Sequence, residues 1–531
     1  MTTKKPSGAA PRKRPRKTGG AGSGRPGRPV SGETQVAPRE LIIVAKPDAG
    51  LRASPEGVAS ITGKDVSAFA DMVSAKDIVI EPLFGISEER IEARAAMMTA
   101  ASPEETHMSQ FYSVRAPDEK LDELADKFLK NPLVESSYVK PGVELAAAVE
   151  EDVREAMSHE ADIDVDKGIN DMQPSAQEAP VTTPNFTNRQ LYLNPAPVGV
   201  DAPYAWQFPG GRGAGVNVID LEWGWQFTHE DLLVNQGGVL AGNNSPSNNH
   251  GTAVLGEISG DVNNYGITGI SPDARVSAVS FTTLPTARAI RIAADRLQRG
   301  DIMLLEVHRA GPRHNFQGRS DQRGYIAVEW WPDDFAAIRY AVSRGVLVVE
   351  AAGNGAENFD DPLYDVRPPG FPTTWRNPFN PANPSSFAVV VGAGAPPPGT
   401  HGRNHGPDRS RLGFSNYGRR VDCQGWGREV TTTGYGDLQG GTDRNQWYTD
   451  MFSGTSSASP IIVGALACTQ GFLRARGLPL LTPVSAIQLL RTTGSPQMDA
   501  PTRPRTQRIG NRPNLRQMFG RFIGGRVRTL P

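Results

Sequence analysis

Residues 453–467 read SGTSSASPIIVGALA, a Ser-rich loop that runs directly into a strongly apolar segment. Apolar residues occupy every face of the helix that this segment predicts over 456–472, so the helix is expected in the centre of a large domain. Ser456 would then lie where a buried helix begins, and the backbone N–H groups there can stabilise a developing oxyanion. Pro460 is expected in the first turn, because its missing N–H has no helical partner at that place.

Three shorter motifs precede this segment. Asp220 ends the apolar strand 216–219, which puts a carboxylate at the edge where open α/β sheets build their sites. His250 opens an apolar helix, and Asn354 lies between two glycines after another apolar strand, where its amide can be aimed into a site. Taken singly, each motif also has a plain structural interpretation: a turn Asp, a surface His and a strand-ending turn.

Together the motifs resemble those of the subtilisin-like serine proteases, the subtilases. The matching residues are VID at 218–220, HGT at 250–252, AAGN at 351–354 and GTSSASP at 454–460. The order Asp, His, Ser along the chain is the order of that family. The resemblance covers about residues 190–515, and four motifs in one order make it specific.

The resemblance implies a role for each of four residues. Ser456 would attack the scissile carbonyl, and His250 would take its proton and pass it to the leaving amine. Asp220 would orient the imidazole, and Asn354 would donate a hydrogen bond to the oxyanion. The implied activity is a serine endopeptidase that acts on polypeptides through an acyl-enzyme and needs no cofactor. Subtilases often bind structural calcium, but this sequence identifies no ligand set and no metal site.

The chain departs from the family pattern beside the predicted site. Leu221 and Glu222 follow Asp220 where the family has a small residue and Gly, and Glu222 would either tune the triad electrostatically or brace a loop. The strand that pairs with substrate corresponds to 304–309, LLEVHR, so its specificity cannot be transferred from the family. The residues expected to line the substrate cleft are Glu306, Val307, His308, Ala352 and Gly353.

Strands alternate with helix patterns over 186–500, which predicts a parallel α/β sheet with helices on both faces in a catalytic domain over 186–531. Residues 39–146 read β-α-β-(α)-β-α-β, with the bracketed helix over 88–98, and suggest a small ferredoxin-like α+β domain. By the resemblance, this domain is a prodomain that helps folding and occupies the cleft with its last strand. The chain would then cut itself within roughly 140–190, in the acidic linker 147–185 or beside it.

The net charge of −1 conceals two strongly basic segments and one strongly acidic segment. Residues 1–28 carry +9, residues 150–178 carry −8, and residues 501–531 carry +8 with no acidic residue. The basic segments are interpreted as a disordered tail over 1–38 and an Arg-rich C-terminal tail over 501–531. Since such tails attract phosphates without sequence specificity, binding of nucleic acid is expected only through them.

Composition excludes several other classes. Two cysteines, Cys423 and Cys468, exclude a disulfide scaffold and a cysteine zinc cluster; they are expected to be buried thiols, with a bridge as the alternative. His401 and His405 lie in a Gly/Pro loop, so their four-residue spacing does not indicate a metal site. No long apolar run or secretory signal is evident, so no membrane partner and a cytoplasmic protein are expected, with a non-standard export route as the alternative.

The competing function is a scaffold that binds peptides without cutting them. The presence of all four chemical residues disfavours it.

Overall fold

The computed structural model describes residues 37–54, 57–74, 77–90, 107–147 and 182–523. Several predicted segments lie wholly or partly outside these described residues: 1–36 of the basic tail, 91–98 of the bracketed helix, 148–181 of the acidic linker and 524–531 of the C-terminal tail.

The N-terminal part of the described chain contains a four-stranded antiparallel sheet. The strands of this whole N-terminal part are β1 (Glu40–Ala45), β2 (Leu51–Ser54), β3 (Gly57–Ser60), β4 (Val79–Pro82), β5 (Phe111–Arg115), β6 (Val134–Lys140) and the short β7 (Glu144–Leu145), and its helices are α1 (Ser67–Met72) and α2 (Leu121–Leu129). The sheet order is β4-β5-β1-β6, while β2 and β3 form a separate hairpin. Helix α2 buries Leu121, Leu124 and Phe128 against this sheet, because residues three and four apart share one helix face.

The large domain is built on a seven-stranded sheet. The strands of the large domain, inside and outside this sheet, are β8 (Asn217–Glu222), β9 (Gln236–Ala241), β10 (Arg275–Ser280), β11 (Ile302–Leu305), β12 (Val307–Ala310), β13 (Tyr325–Ala327), β14 (Leu347–Ala351), β15 (Val389–Gly394), β16 (Cys423–Trp426), β17 (Val430–Thr433) and β18 (Tyr448–Phe452). Its helices are α3 (Ala202–Ala205), α4 (Asn249–Ser259), α5 (Thr286–Arg296), α6 (Pro332–Ser343), α7 (Thr455–Ala475), α8 (Pro483–Thr492) and α9 (Leu515–Gly520). The order is β16-β15-β14-β11-β8-β10-β9, and every pair is parallel.

Helices cover both faces of this parallel sheet. Along β8, Val218 packs into the core that contains α4 and α7, whereas Ile219 and Leu221 pack into the core that contains α5 and α6. Successive side chains of a strand point to opposite faces, so a strand buried on both sides is rich in apolar residues, as the sequence indicated; in β8 the exceptions are the buried Asp220 and Glu222. The predicted α/β class with helices on both faces is confirmed.

Helix α7 runs through the centre of the large domain. Among the described helices it is the one whose length and hydropathy would suit a membrane span, but that apolar stretch is entirely buried inside the domain. The expectation for Pro460 was wrong: because α7 begins at Thr455, Pro460 lies inside the helix rather than in its first turn. The carbonyl four residues earlier, that of Ser456, therefore receives no N–H from position 460.

The expected Arg-rich tail is folded into the domain as far as residue 523. Arg512 is fully buried, with its guanidinium bound to Asp408 and to the Ala395 carbonyl. Leu515 and Phe519 of α9 pack into the core beside α7. The described part of the Arg-rich C-terminal tail is therefore packed into the large domain, where its apolar side chains complete the core and Arg512 has internal partners.

The N-terminal sheet packs on the large domain through buried charges. Lys140, in β6, lies between Asp333 and Asp334 at the start of α6, with its Nζ 2.8 Å from Asp334 Oδ1. Arg309, in β12, donates to Glu40 Oε1 at 2.9 Å. Strand β7 then pairs antiparallel with β12, so the N-terminal part ends as an added strand of the large domain.

Candidate active site

Ser456 and His250 meet at the carboxyl edge of the sheet. Ser456 is the second residue of α7, His250 is the second residue of α4, and the two helices pack side by side. The distance from Ser456 Oγ to His250 Nε2 is 2.8 Å. A serine hydroxyl within hydrogen-bond distance of an imidazole is an activated nucleophile with its general base.

Asn354 lies on the other side of Ser456. It follows β14 and Gly353, whose φ of +94° belongs to the left-handed region that favours glycine. Its Oδ1 accepts hydrogen bonds from the backbone N and the hydroxyl of Thr455, both at 3.0 Å. Because the oxygen is held in this way, the amide Nδ2 points into the cleft as a donor.

The carboxylate that faces the imidazole is Glu222, not the expected Asp220. Glu222 Oε2 lies 2.9 Å from His250 Nδ1. Asp220 Oδ2 instead accepts a hydrogen bond from Trp225 Nε1 at 2.7 Å. Both acids lie on one side of β8 because they are two residues apart, but only the longer glutamate side chain, farther along the strand, hydrogen-bonds to the ring. The alternative that Glu222 braces a loop is therefore wrong.

Asp220 and Glu222 form a buried carboxyl pair. Burial raises the pKa of both groups well above their usual range, and the charge of Glu222 raises the pKa of Asp220 further. Asp220 Oδ1 and Glu222 Oε1 have no hydrogen-bond partner within the described chain. The two acids therefore titrate as a pair in which ionisation of Glu222 opposes that of Asp220.

The imidazole of His250 is held neutral. Burial lowers its pKa to about 4, although the charge of the neighbouring Asp220 opposes the shift. With Nδ1–H donated to Glu222, the free electron pair lies on Nε2 and faces the Ser456 hydroxyl. This is the protonation state that a general base needs.

The chain's own residue Ala146 fills the space between these groups. Its carbonyl oxygen accepts hydrogen bonds from Ser456 N at 3.2 Å and from Asn354 Nδ2 at 2.8 Å. Its backbone N donates to the Glu306 carbonyl at 3.2 Å, and Ala147 forms a bridge with Gly454. The peptide bond between Ala146 and Ala147 therefore lies across Ser456, with its carbonyl oxygen between two donors.

The residues predicted to line the cleft surround this segment. Val307 pairs with Leu145 and His308 pairs with Glu144, while Glu306 supplies the carbonyl opposite Ala146. The side chain of Glu306 turns away to accept a hydrogen bond from Ser459 at 2.8 Å, and burial raises its pKa well above the usual range.

The predicted residues on the other wall belong to the loop after β14. Ala352 and Gly353 lie there, where the Ala352 carbonyl accepts from Asn416 Nδ2 at 2.7 Å and Gly353 N donates to the Thr455 hydroxyl. These backbone contacts set the position of the Asn354 amide.

Sequence reasoning missed two residues of the cleft, Gln322 and Tyr325. Gln322 contacts both the Leu145 carbonyl and Asn354 Nδ2, and the Tyr325 hydroxyl donates to Glu144 Oε1. Neither residue belongs to a motif. For Glu222, the signal was present: it lies two residues after Asp220 on a strand, hence on the same face.

The described residues contain no group of three or more His, Cys, Asp or Glu that could hold a metal ion. His405 Nε2 contacts Glu429 Oε1 at 2.9 Å, and His401 lies against the same carboxylate, so the two histidines belong to an ionic cluster. Cys423 and Cys468 are buried free thiols.

A serine, an imidazole and a carboxylate at the edge of a parallel α/β sheet, with an amide donor opposite, define a serine hydrolase of the subtilisin type. The comparison with protein families agrees: residues 235–520, more than half of the chain, match the subtilase family, and the chain belongs to that family. The match includes His250, Asn354 and Ser456 but begins after β8, so the choice of acid rests on geometry alone. The protein is a subtilisin-like serine endopeptidase.

Individual relatives are distant. The intracellular serine protease of Paenibacillus polymyxa is 26% identical over 349 residues, which is 62% of this chain and 85% of that protein. Subtilisin BL of Lederbergia lenta is 30% identical over 273 residues, 50% of this chain and 80% of that protein. Among solved structures, fervidolysin from Fervidobacterium pennivorans, a keratinolytic enzyme related to subtilisin, aligns with a TM-score of 0.50 at 16% identity over 94% of this chain and 63% of that one. This last likeness concerns the fold.

Proposed function

We propose that this protein is a self-processing endopeptidase that cuts its own chain between Ala146 and Ala147. The observation that carries the proposal is the position of the Ala146 carbonyl, whose oxygen accepts hydrogen bonds from both Ser456 N and Asn354 Nδ2. Donors placed where negative charge develops in the transition state are the recognised feature of an oxyanion hole.

The chemistry follows from these contacts. Ser456 Oγ attacks the carbonyl carbon of Ala146 while its proton passes to His250 Nε2, and the oxyanion is stabilised by the two donors. Collapse of this intermediate breaks the bond to Ala147, whose nitrogen takes the proton from His250. The new acyl-enzyme is an ester between Ser456 and Ala146. Water then attacks the ester, with His250 again as the base, and frees the Ser456 hydroxyl and a carboxylate on Ala146.

Glu222 serves as the acid of the triad in this proposal. It accepts the Nδ1–H of His250 and stabilises the imidazolium that forms during each proton transfer. Asp220 acts through Glu222, since it lies beside that carboxyl and is itself fixed by Trp225.

The domain before the cut is a prodomain in this proposal. It contributes β7 to the cleft, and its buried Lys140 and Glu40 are bound by charges of the large domain. After cleavage, the segment that ends at Ala146 keeps these contacts and blocks the site as a bound product. The enzyme becomes active on other polypeptides when this domain leaves.

The proposal is tested by expressing the chain and its Ser456→Ala variant and recording intact masses and the new N-terminal sequence. The chain should yield a fragment that begins at Ala147, and the variant should stay whole. Ser343→Ala, which removes a hydroxyl on α6 that contacts only the Tyr340 carbonyl among the described residues, is the matched control and should be cut normally. Cleavage of Ser456→Ala at the same bond, or a folded parent chain that stays whole and does not label with a fluorophosphonate, would refute the proposal.

A further inference from the structure

We propose that the processed enzyme cleaves after alanine and similarly small residues, and favours a glutamate two residues before them, because His308 and Tyr325 form the two subsites. This inference rests on the proposed self-cleavage and names the substrate class of the same site. Its starting point is the chain's own segment 143–147, which lies in the cleft as a bound substrate would.

The register of the strands places Ala146 beside His308. Val307 pairs with Leu145 and His308 with Glu144, and the Ala146 N–H bond to Glu306 continues this ladder. Directly paired residues share a face, and so do residues two apart on one strand. The side chains of Ala146 and His308 are therefore diagonal neighbours on one face, within the reach of an aromatic ring.

The imidazole of His308 is fixed in that position. Its Nδ1 accepts a hydrogen bond from Asn354 N at 3.2 Å, and the ring packs on Tyr325 with centroids 4.6 Å apart. A Cβ atom added to Gly353 would lie 3.3 Å from His308 Cβ, so no free volume remains between these two residues. His308 and Ala146 are both fully buried. A leucine or phenylalanine in place of Ala146 would have to displace a ring that is held on several sides.

Tyr325 recognises the residue two positions earlier. Its hydroxyl donates to Glu144 Oε1, and burial raises the pKa of Glu144. The cavity of about 560 Å³ beside this contact takes its walls partly from Gln317 and Tyr325 and partly from the N-terminal domain, so it exists only while that domain is bound. The subsite for Glu144 is thus polar, whereas the subsite for Ala146 is closed.

The test uses processed enzyme and quenched peptides with the sequence of residues 141–149, carrying Ala, Ser, Val, Leu or Phe in place of Ala146. The value of kcat/KM for the Leu peptide should be lower than that for the Ala peptide by a factor on the order of 100, because the added side chain has no space. His308→Gly should raise the Leu-to-Ala ratio at least tenfold.

Two further variants separate the subsites. Tyr325→Phe should reduce the preference for Glu over Ala at the position of Glu144 by roughly tenfold, the loss of one charge-assisted hydrogen bond, and leave the Leu-to-Ala ratio unchanged. His314→Ala, a histidine that packs against Gly324 in a neighbouring segment, is the matched control and should change neither ratio.

Three results would contradict the subsite proposal, and one of them would also contradict the proposed function. An enzyme that cuts itself at Ala146 but cleaves the Leu and Ala peptides equally would overturn the subsite proposal and leave the proposed function standing. A Leu-to-Ala ratio that His308→Gly does not change would overturn it as well. A chain that neither cuts itself nor cleaves any of the peptides would refute the proposed function, and the subsite proposal with it.

Discussion

Replacing Glu222 by Gln separates the two acids that could serve the triad. In the structure Glu222 Oε2 is 2.9 Å from His250 Nδ1, and both side chains are almost fully buried. Two unit charges about 4 Å apart attract by about 4 kcal/mol at an effective dielectric constant of 20. Loss of that attraction to the imidazolium corresponds to about a 10³-fold slower reaction, since each factor of ten is worth about 1.4 kcal/mol.

A neutral amide also permits the wrong tautomer of the imidazole, which in other triads brings the loss to about 10⁴-fold. We therefore expect Glu222→Gln to slow self-cleavage by 10³- to 10⁴-fold. Asp220→Asn keeps an acceptor for Trp225 Nε1 and a donor for the Glu222 carboxylate, so it should slow the reaction by no more than about tenfold.

The assay is the time course of cleavage at Ala146–Ala147, followed by intact mass in freshly purified chain at neutral pH. Thermal unfolding of each variant in a Ser456→Ala background checks that the fold is kept. If Asp220→Asn lost as much activity as Glu222→Gln, or more, the assignment of Glu222 as the acid would be refuted. The same result would restore the assignment that the family order predicts.

The remaining predictions concern pH, the oxyanion and the buried lysine. Burial lowers the pKa of His250 to about 4 but raises the pKa of Glu222 well above its usual range, so on acidification Glu222 should lose its charge before His250 is protonated, and self-cleavage should slow above pH 4; a rate–pH profile that stays flat down to pH 4 would contradict this. Asn354→Ala should slow cleavage by 10²- to 10³-fold while the N-terminal domain stays bound; an effect below fivefold would remove its role. Lys140→Met leaves Asp333 buried without its cation and Asp334 with Arg309 alone, a loss of about 3–5 kcal/mol. The fragment that ends at Ala146 should then separate from the processed enzyme on size-exclusion chromatography, and continued co-elution would contradict this.

Several features of the site could be predicted from the sequence because they are local. Ser456 at the start of an apolar helix, His250 at the start of another and Asn354 after a glycine are each set by a few neighbouring residues. Each of the three motifs can be recognised from a short stretch of sequence. The structure then places the three residues around one point. The alternation of apolar strands and helices likewise predicted the parallel α/β sheet, because strands buried on both faces are rich in apolar residues.

Other features depend on contacts between distant parts of the chain. Asp220 and Glu222 carry the same functional group on the same face of β8, and only the packing of α4 against that strand determines which one meets the imidazole. The Arg-rich residues 501–523 resemble a tail in composition, yet Arg512 finds Asp408 in the folded domain.

The sequence by itself determined the class of sheet and pointed to Ser456, His250 and Asn354 as the candidates for nucleophile, base and amide donor, since each follows from side-chain chemistry and short-range periodicity. Only the tertiary structure decided that Glu222 faces His250 and that Ala146 lies between Ser456 and Asn354. Ser456 and Asn354 each lie more than 200 positions after Ala146 along the chain. Their meeting depends on strand register and on the buried charges that join the two domains, neither of which has a local pattern.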